Sequence, residues 1–158
     1  MDTSPSLAGV CVLVISEDVE LRELATMVLT GYHATVTSAA SLPEAFAALD
    51  QQSFQVLIAD IDPPKQIGYE LISEIRKRER DQGASERLPA AAAVTDAETE
   101  DRIRLLLAGY QLHLPKPIET NELAWVVAAL ADWKGGVNRE TRVSSDGSPI
   151  VPPDNPEC

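Results

Sequence analysis

The sequence predicts an α/β domain, a five-stranded parallel sheet with five helices covering both of its faces. Three observations lead there. Short apolar runs alternate with longer amphipathic stretches from Val10 to Trp133. Runs such as Val56-Leu57-Ile58-Ala59 are apolar throughout, as strands buried on both faces are. The segments between runs are long enough for helical, right-handed crossovers.

The elements follow in order. Residues 1–8 are polar, contain Pro5 and read as a flexible arm before a domain over 9–133. Residues 10–15 form the first strand. Residues 19–29 carry Leu21, Leu24, Ala25 and Val28, the stripe of an amphipathic helix. Residues 34–37 are a short β-branched strand, with His33 as a surface residue of it. Ser41 and Glu44 form a capping box before a helix with Leu42, Ala45, Phe46 and Leu49 on one face. Residues 55–59 are the third strand. Residues 69–80 are a helix whose solvated side holds Glu74, Arg76, Lys77, Arg78, Glu79 and Arg80. Residues 90–94 form a fourth strand of small side chains, and 98–108 a helix ended by Gly109 as its C-cap. Residues 112–114 are the fifth strand. Thr120 caps a last helix to Trp133, with Leu123, Val126, Val127 and Leu130 inward; Trp125 and Trp133 read as core or edge packing or, where exposed, as a docking surface. From 134 to 158 the chain turns to Gly, Ser and Pro and reads as a disordered tail.

Composition narrows the function. A chain of 158 residues with 44% hydrophobic but 4% aromatic residues has an aliphatic core. Thirteen Lys and Arg against 25 Asp and Glu give a net charge of -12. Such a surface repels nucleic acid and anionic membrane, so neither is expected as a partner. No apolar stretch approaches the ~18 residues of a membrane span, and no basic region precedes an apolar one at the N-terminus. Cys11 reads as a small core residue and Cys158 as the last residue of the tail. No disulfide framework is expected, which fits the cytoplasm.

The chemistry gathers around Asp60, at the C-terminal end of the third strand, where open α/β sheets place ligand sites. Ser16, Glu17 and Asp18 follow the first strand, Thr95 the fourth and Lys116 the fifth, between Pro115 and Pro117. In a doubly wound sheet all these loops open at one edge. A carboxylate attacks a phosphoryl donor only where charge repulsion is offset. Mg²⁺ held by Glu17, Asp60 and a backbone carbonyl would offset it with hard oxygen ligands. Lys116 would pair with one phosphoryl oxygen and the Thr95 hydroxyl would bond another, leaving an aspartyl phosphate. The bland alternatives are a loop carboxylate at Asp60, a solvated turn at Glu17 and a surface lysine at Lys116.

Over about 9–132 these residues resemble the receiver domains of two-component response regulators. The resemblance is carried by Ser16-Glu17-Asp18, Asp60 with Pro64, Gly68, Thr95, Ala108-Gly109 and Lys116-Pro117. The tract from Leu57 to Leu130, with Gly109-Tyr110-Gln111-Leu112-His113-Leu114-Pro115-Lys116-Pro117 near its end, is most similar to receivers attached to hybrid histidine kinases. The resemblance implies a flavodoxin-like strand order 2-1-3-4-5 and a cis Lys116-Pro117 bond. It implies phosphate on Asp60 from a histidine kinase or phosphotransfer protein, with Mg²⁺ on Glu17, Asp60 and the Asp62 carbonyl. It also implies Thr95 and Lys116 as phosphate ligands, and His113 at the switch position that moves with Thr95; a structural imidazole is the other reading of His113. Output passes to a downstream protein target, and a homodimer through the last helices is compatible.

Several positions depart from the family pattern, among them Glu17, one methylene longer than the usual Asp. Ser16 stands where the first of two acids is usual, Asp96 follows Thr95 where a small residue is usual, and Asp62-Pro63 replaces small and apolar residues. These departures raise a second reading, a pseudo-receiver that binds partners without phosphate. A third is a small phosphatase, because Asp60-Ile61-Asp62 imitates the Asp-x-Asp of haloacid-dehalogenase-type enzymes.

Overall fold

The structure is a computed structural model that describes residues 5–62, 67–95 and 99–132. The elements run β1 (Cys11–Ile15), α1 (Val19–Gly31), β2 (Thr35–Ala39), α2 (Leu42–Gln51), β3 (Val56–Asp60), α3 (Ile67–Asp81), β4 (Ala90–Val94), α4 (Thr99–Ala108), β5 (Leu112–Pro115) and α5 (Thr120–Ala131). The five strands form one sheet in the order β2-β1-β3-β4-β5, and every neighbouring pair is parallel. This is the expected alternation and the expected order.

Alternation along the strands sorts the core into two layers. Val12, Val14, Val56, Ile58, Ala91, Ala93 and Leu114 face α1 and α5, where Leu21, Ala25, Val28, Leu123, Val127 and Leu130 meet them. Leu13, Ile15, Leu57, Ala59, Ala90 and Ala92 face the other way, toward Ala45 and Ala48 of α2, Leu71, Ile72 and Ile75 of α3, and Leu105 of α4. The central strands are buried almost throughout, whereas β2 and β5 at the sheet edges are partly exposed. The all-apolar runs of β1, β3 and β4 are therefore a consequence of position within the sheet.

The local signals hold where their chemistry is short-range. Asp18 caps α1, its Oδ1 accepting the Glu20 N–H at 2.9 Å. Ser41 caps α2, its Oγ accepting the Glu44 N–H at 3.3 Å. Gly109, at φ 123, turns the chain out of α4 while its N–H and that of Tyr110 bond the Leu105 carbonyl. The Lys116-Pro117 bond is cis.

Other expectations are corrected. His33 is no strand residue; it holds φ 78 in the α1–β2 turn, where its N–H bonds the Thr30 carbonyl before β2 starts at Thr35. Thr120 opens α5, but Glu119 is the N-cap and makes no side-chain cap bond. Trp125 is 53% exposed on the outer face of α5. Cys11 is a small core residue, buried at the start of β1 at the opposite end of the sheet from Asp60. Arg76 is 4% exposed, although Lys77 and Arg80 of the same charged run are exposed. Its guanidinium bonds the carbonyls of Gly109 at 2.7 Å and Leu88 at 2.8 Å and pairs with Glu79 at 2.8 Å. A fork of five donors can satisfy all three partners at once, which is why burial is tolerated there. Asp96, Pro63, Pro64, Trp133 and the tail 134–158 lie outside the described residues.

Candidate functional site

The site grows out of the sheet order. From β1 the chain crosses to β2 on one side and then to β3 on the other, so the loops after β1 and β3 part and leave a crevice at their C-terminal ends. The registers Ile15 with Ala59, Asp60 with Ala93 and Val94 with Pro115 bring the strand ends level. Ser16, Asp60, Thr95 and Lys116 consequently share one edge.

Asp60 closes β3, with its side chain 13% exposed. Its Oδ1 accepts the Lys116 ammonium at 2.9 Å and the Asp62 N–H at 3.0 Å. Its Oδ2 accepts the Ser16 hydroxyl at 2.8 Å. Ser16 is fully buried, and its Oγ in turn accepts the Asp18 N–H at 3.0 Å. An ionised carboxylate offers about four lone-pair positions. These three donors fix its orientation and leave one position for attack.

Gly68 makes the edge possible. A Cβ there would sit 2.6 Å from Ile61 Cγ2 and 2.9 Å from the Asp60 carbonyl. The buried Tyr110 hydroxyl donates to the Gly68 carbonyl, tying the start of α3 to the turn after α4. Burial pushes the Tyr110 phenol far above its ordinary range, so it remains a donor.

Thr95 and Lys116 meet at Asp62. The Thr95 backbone N–H donates to Asp62 Oδ1 at 3.0 Å, and the Thr95 hydroxyl to Oδ2 at 2.8 Å. Lys116 Nζ lies 2.9 Å from the same Oδ2. Burial alone would raise the Asp62 carboxyl, but the Thr95 N–H, Lys116 and the Thr95 hydroxyl together hold it below the usual carboxylate range. Burial likewise opposes charge on Lys116, yet its bonds to Asp62 and Asp60 raise it above an ordinary lysine.

The structure thus brings together Asp60, Thr95 and Lys116, as the sequence predicts. Glu17 is exposed beyond the end of β1, and the Asp18 carboxylate is spent on its cap. No group of three acidic, His or Cys side chains able to hold a metal forms among the described residues. The donor facing Asp60 is a serine hydroxyl, so this arrangement is not a preformed Mg²⁺ cage. His113 lies half-buried in β5, opposite Ala92, while the Thr95 hydroxyl is turned to Asp62.

Two roles escape the sequence reading. Ser16 is a donor to Asp60 and not merely a missing charge. The Asp62 side chain, and not only its carbonyl, takes part in the site by bonding Thr95 and Lys116. The available signal was stoichiometric: two carboxylates two residues apart at a strand end, served by one lysine.

Residues 12–128 match the family described as the response regulator receiver domain. An uncharacterized 14.6 kDa protein of Leptolyngbya boryana is 33% identical over 122 residues, 77% of this chain and 90% of that protein. Hybrid signal transduction histidine kinase D of Dictyostelium discoideum is 25% identical over 77 residues, 49% of this chain but 5% of the kinase. Among solved structures, the fold matches the co-crystal structure of the Saccharomyces cerevisiae histidine phosphotransfer signaling protein Ypd1 and the receiver domain of its downstream response regulator Ssk1. The TM-score is 0.72 at 18% identity, covering 82% of this chain and 92% of that one. Strand order, site geometry and the family match agree: the chain belongs to the response regulator receiver domain family.

Proposed function

We propose that this receiver takes a phosphoryl group on Asp60 from the phosphohistidine of a histidine kinase or phosphotransfer protein. The observation that carries the proposal is the Asp60 carboxylate held 2.9 Å from Lys116 at the carboxyl edge of the sheet, beside Thr95. Asp60 Oδ2 attacks phosphorus, an O–P bond forms and the P–N bond to histidine breaks. The imidazole nitrogen leaves and takes up a proton. Lys116 and Thr95 then serve the phosphoryl oxygens, and a displacement of Thr95 with His113 carries the state to a downstream protein partner. The chain signals and is not itself an enzyme with a small-molecule substrate. The cytoplasm, where phosphohistidine donors are made from ATP, is the proposed location. A homodimer over the outer faces of the last helices is compatible, because Trp125 and Leu107 are exposed there.

Magnesium belongs to the same proposal. Glu17, Asp60 and the Asp62 carbonyl are the oxygens that would hold it, weakly, since Ser16 replaces an acid. When bound it would neutralise charge at the phosphoryl group.

A second reading is favoured by one observation: Asp62 already holds Thr95 and Lys116. A pseudo-receiver would bind partners in this form without phosphate. The phosphatase reading is weaker, because the Asp-x-Asp lies on the third strand and its second acid is bound to Lys116 and Thr95 instead of facing a leaving group.

The test is transfer from a radiolabelled phosphotransfer protein. Label should move to this chain in the presence of Mg²⁺ and not to Asp60→Asn. Label that stays on histidine while the two proteins bind one another would favour the pseudo-receiver.

A further inference from the structure

We propose that the Asp62 carboxylate is a built-in occupant of the phosphoryl pocket, holding Thr95 and Lys116 in place of phosphate and competing with phosphorylation of Asp60. The competition rests on the phosphoacceptor reading of Asp60; the occupancy does not.

Three donors converge on the Asp62 carboxylate: the Thr95 N–H, the Thr95 hydroxyl and the Lys116 ammonium, at 3.0, 2.8 and 2.9 Å. Lys116 simultaneously touches Asp60 at 2.9 Å, so a phosphoryl group on Asp60 would lie within reach of the same donors. A carboxylate presents two of the oxygens that a phosphoryl group would present, with like charge. These are charge-assisted bonds to a planar acceptor, the strong kind.

Tethering makes the occupant persistent. Asp62 is two residues from Asp60, and its own N–H bonds Asp60 Oδ1 at 3.0 Å. That short turn holds the acid beside the pocket at high effective concentration. Ser16 and Asp60 fix the other wall of the site at 2.8 Å. One ammonium thus serves two carboxylates, and an arriving phosphoryl group must displace Asp62 and face its charge.

Two consequences follow. Asp60 is phosphorylated slowly, because its donors are engaged elsewhere. Thr95 is held on Asp62 before any phosphate arrives, so its displacement on phosphorylation must begin by breaking those bonds.

The experiment uses the full chain, with Asp62→Ala and the isosteric Asp62→Asn, both checked for folding by circular dichroism. The NMR signals of the Thr95 amide and the Lys116 ammonium report occupancy. The rate of phosphorylation by acetyl phosphate with Mg²⁺, read by intact mass, reports competition. Both signals should move in Asp62→Ala, and the rate should rise on the order of tenfold, since a charge-assisted bond network must no longer be displaced. Asp62→Asn should fall between Asp62→Ala and the unmodified chain. Unmoved Thr95 and Lys116 signals overturn the proposal, as does an unchanged or lower rate in an Asp62→Ala protein that is phosphorylated. Moved signals with no phosphorylation of any of the three proteins support the occupancy and instead overturn the phosphoacceptor reading of Asp60.

Discussion

Asp60 is a carboxylate whose two oxygens do different work. Oδ1 faces Lys116 and the Asp62 N–H, and Oδ2 faces the Ser16 hydroxyl. Ser16 supplies a dipole where the family usually supplies charge. Replacing it by Asp should place a second carboxylate against Asp60 in a fully buried position. Ser16→Asp should be less stable than the unmodified chain without metal, because like charges there are poorly screened. It should regain stability as Mg²⁺ is added, by more than the unmodified chain does, since binding to the native state alone stabilises it. Thermal melts across a Mg²⁺ series read this directly; equal responses would remove Ser16 from the account of weak metal binding. Asp62 makes a pH prediction. Its carboxyl titrates below the ordinary aspartate range when folded, so its contribution is present above the ordinary value and is lost as pH falls through the lower, folded value. The stability gap between the chain and Asp62→Asn should therefore narrow only as pH drops below about 4, as urea midpoints would show.

At the scale of elements, the clearest signals were local. The caps at Ser41 and Gly109 could be placed from spacing alone, because a cap is satisfied within a few residues of itself. Arg76 could not, because its partners are the carbonyls of Leu88 and Gly109, distant along the chain. In a run of charged residues nothing marks which one turns inward. Arg76 closes α3 onto the loops before β4 and after α4, with Glu79 bonding the Leu88 N–H at 2.7 Å. Arg76→Met should cost about 3–5 kcal/mol, because it removes the buried guanidinium that neutralises a largely buried carboxylate and serves two carbonyls. Denaturant unfolding checks this, and a cost under about 1 kcal/mol would mean that water replaces the guanidinium. Trp125 and His33 were misplaced for a related reason: α5 has apolar residues nearly all round, and one strand end looks much like a turn when read from side chains alone.

For the whole molecule, the alternation of all-apolar runs with amphipathic stretches suffices for a parallel sheet with helices on both faces. Strand order is another matter. Periodicity does not distinguish 2-1-3-4-5 from other doubly wound orders; the resemblance carried by Asp60, Thr95 and Lys116 did so. That order makes the site, because the crevice beside β1 exists only where the chain reverses direction across the sheet. The positions of the site residues were therefore legible, and their bonding was not. Which donor serves which carboxylate depends on ångström-scale competition among Ser16, Asp62, Thr95 and Lys116. The central claim is that Asp60, within this frame, accepts a phosphoryl group. Intact mass after incubation with acetyl phosphate and Mg²⁺ tests it most directly. The account predicts a gain of one phosphoryl group that is absent in Asp60→Asn. A mass unchanged at every Mg²⁺ concentration, or the same gain in Asp60→Asn, would contradict it.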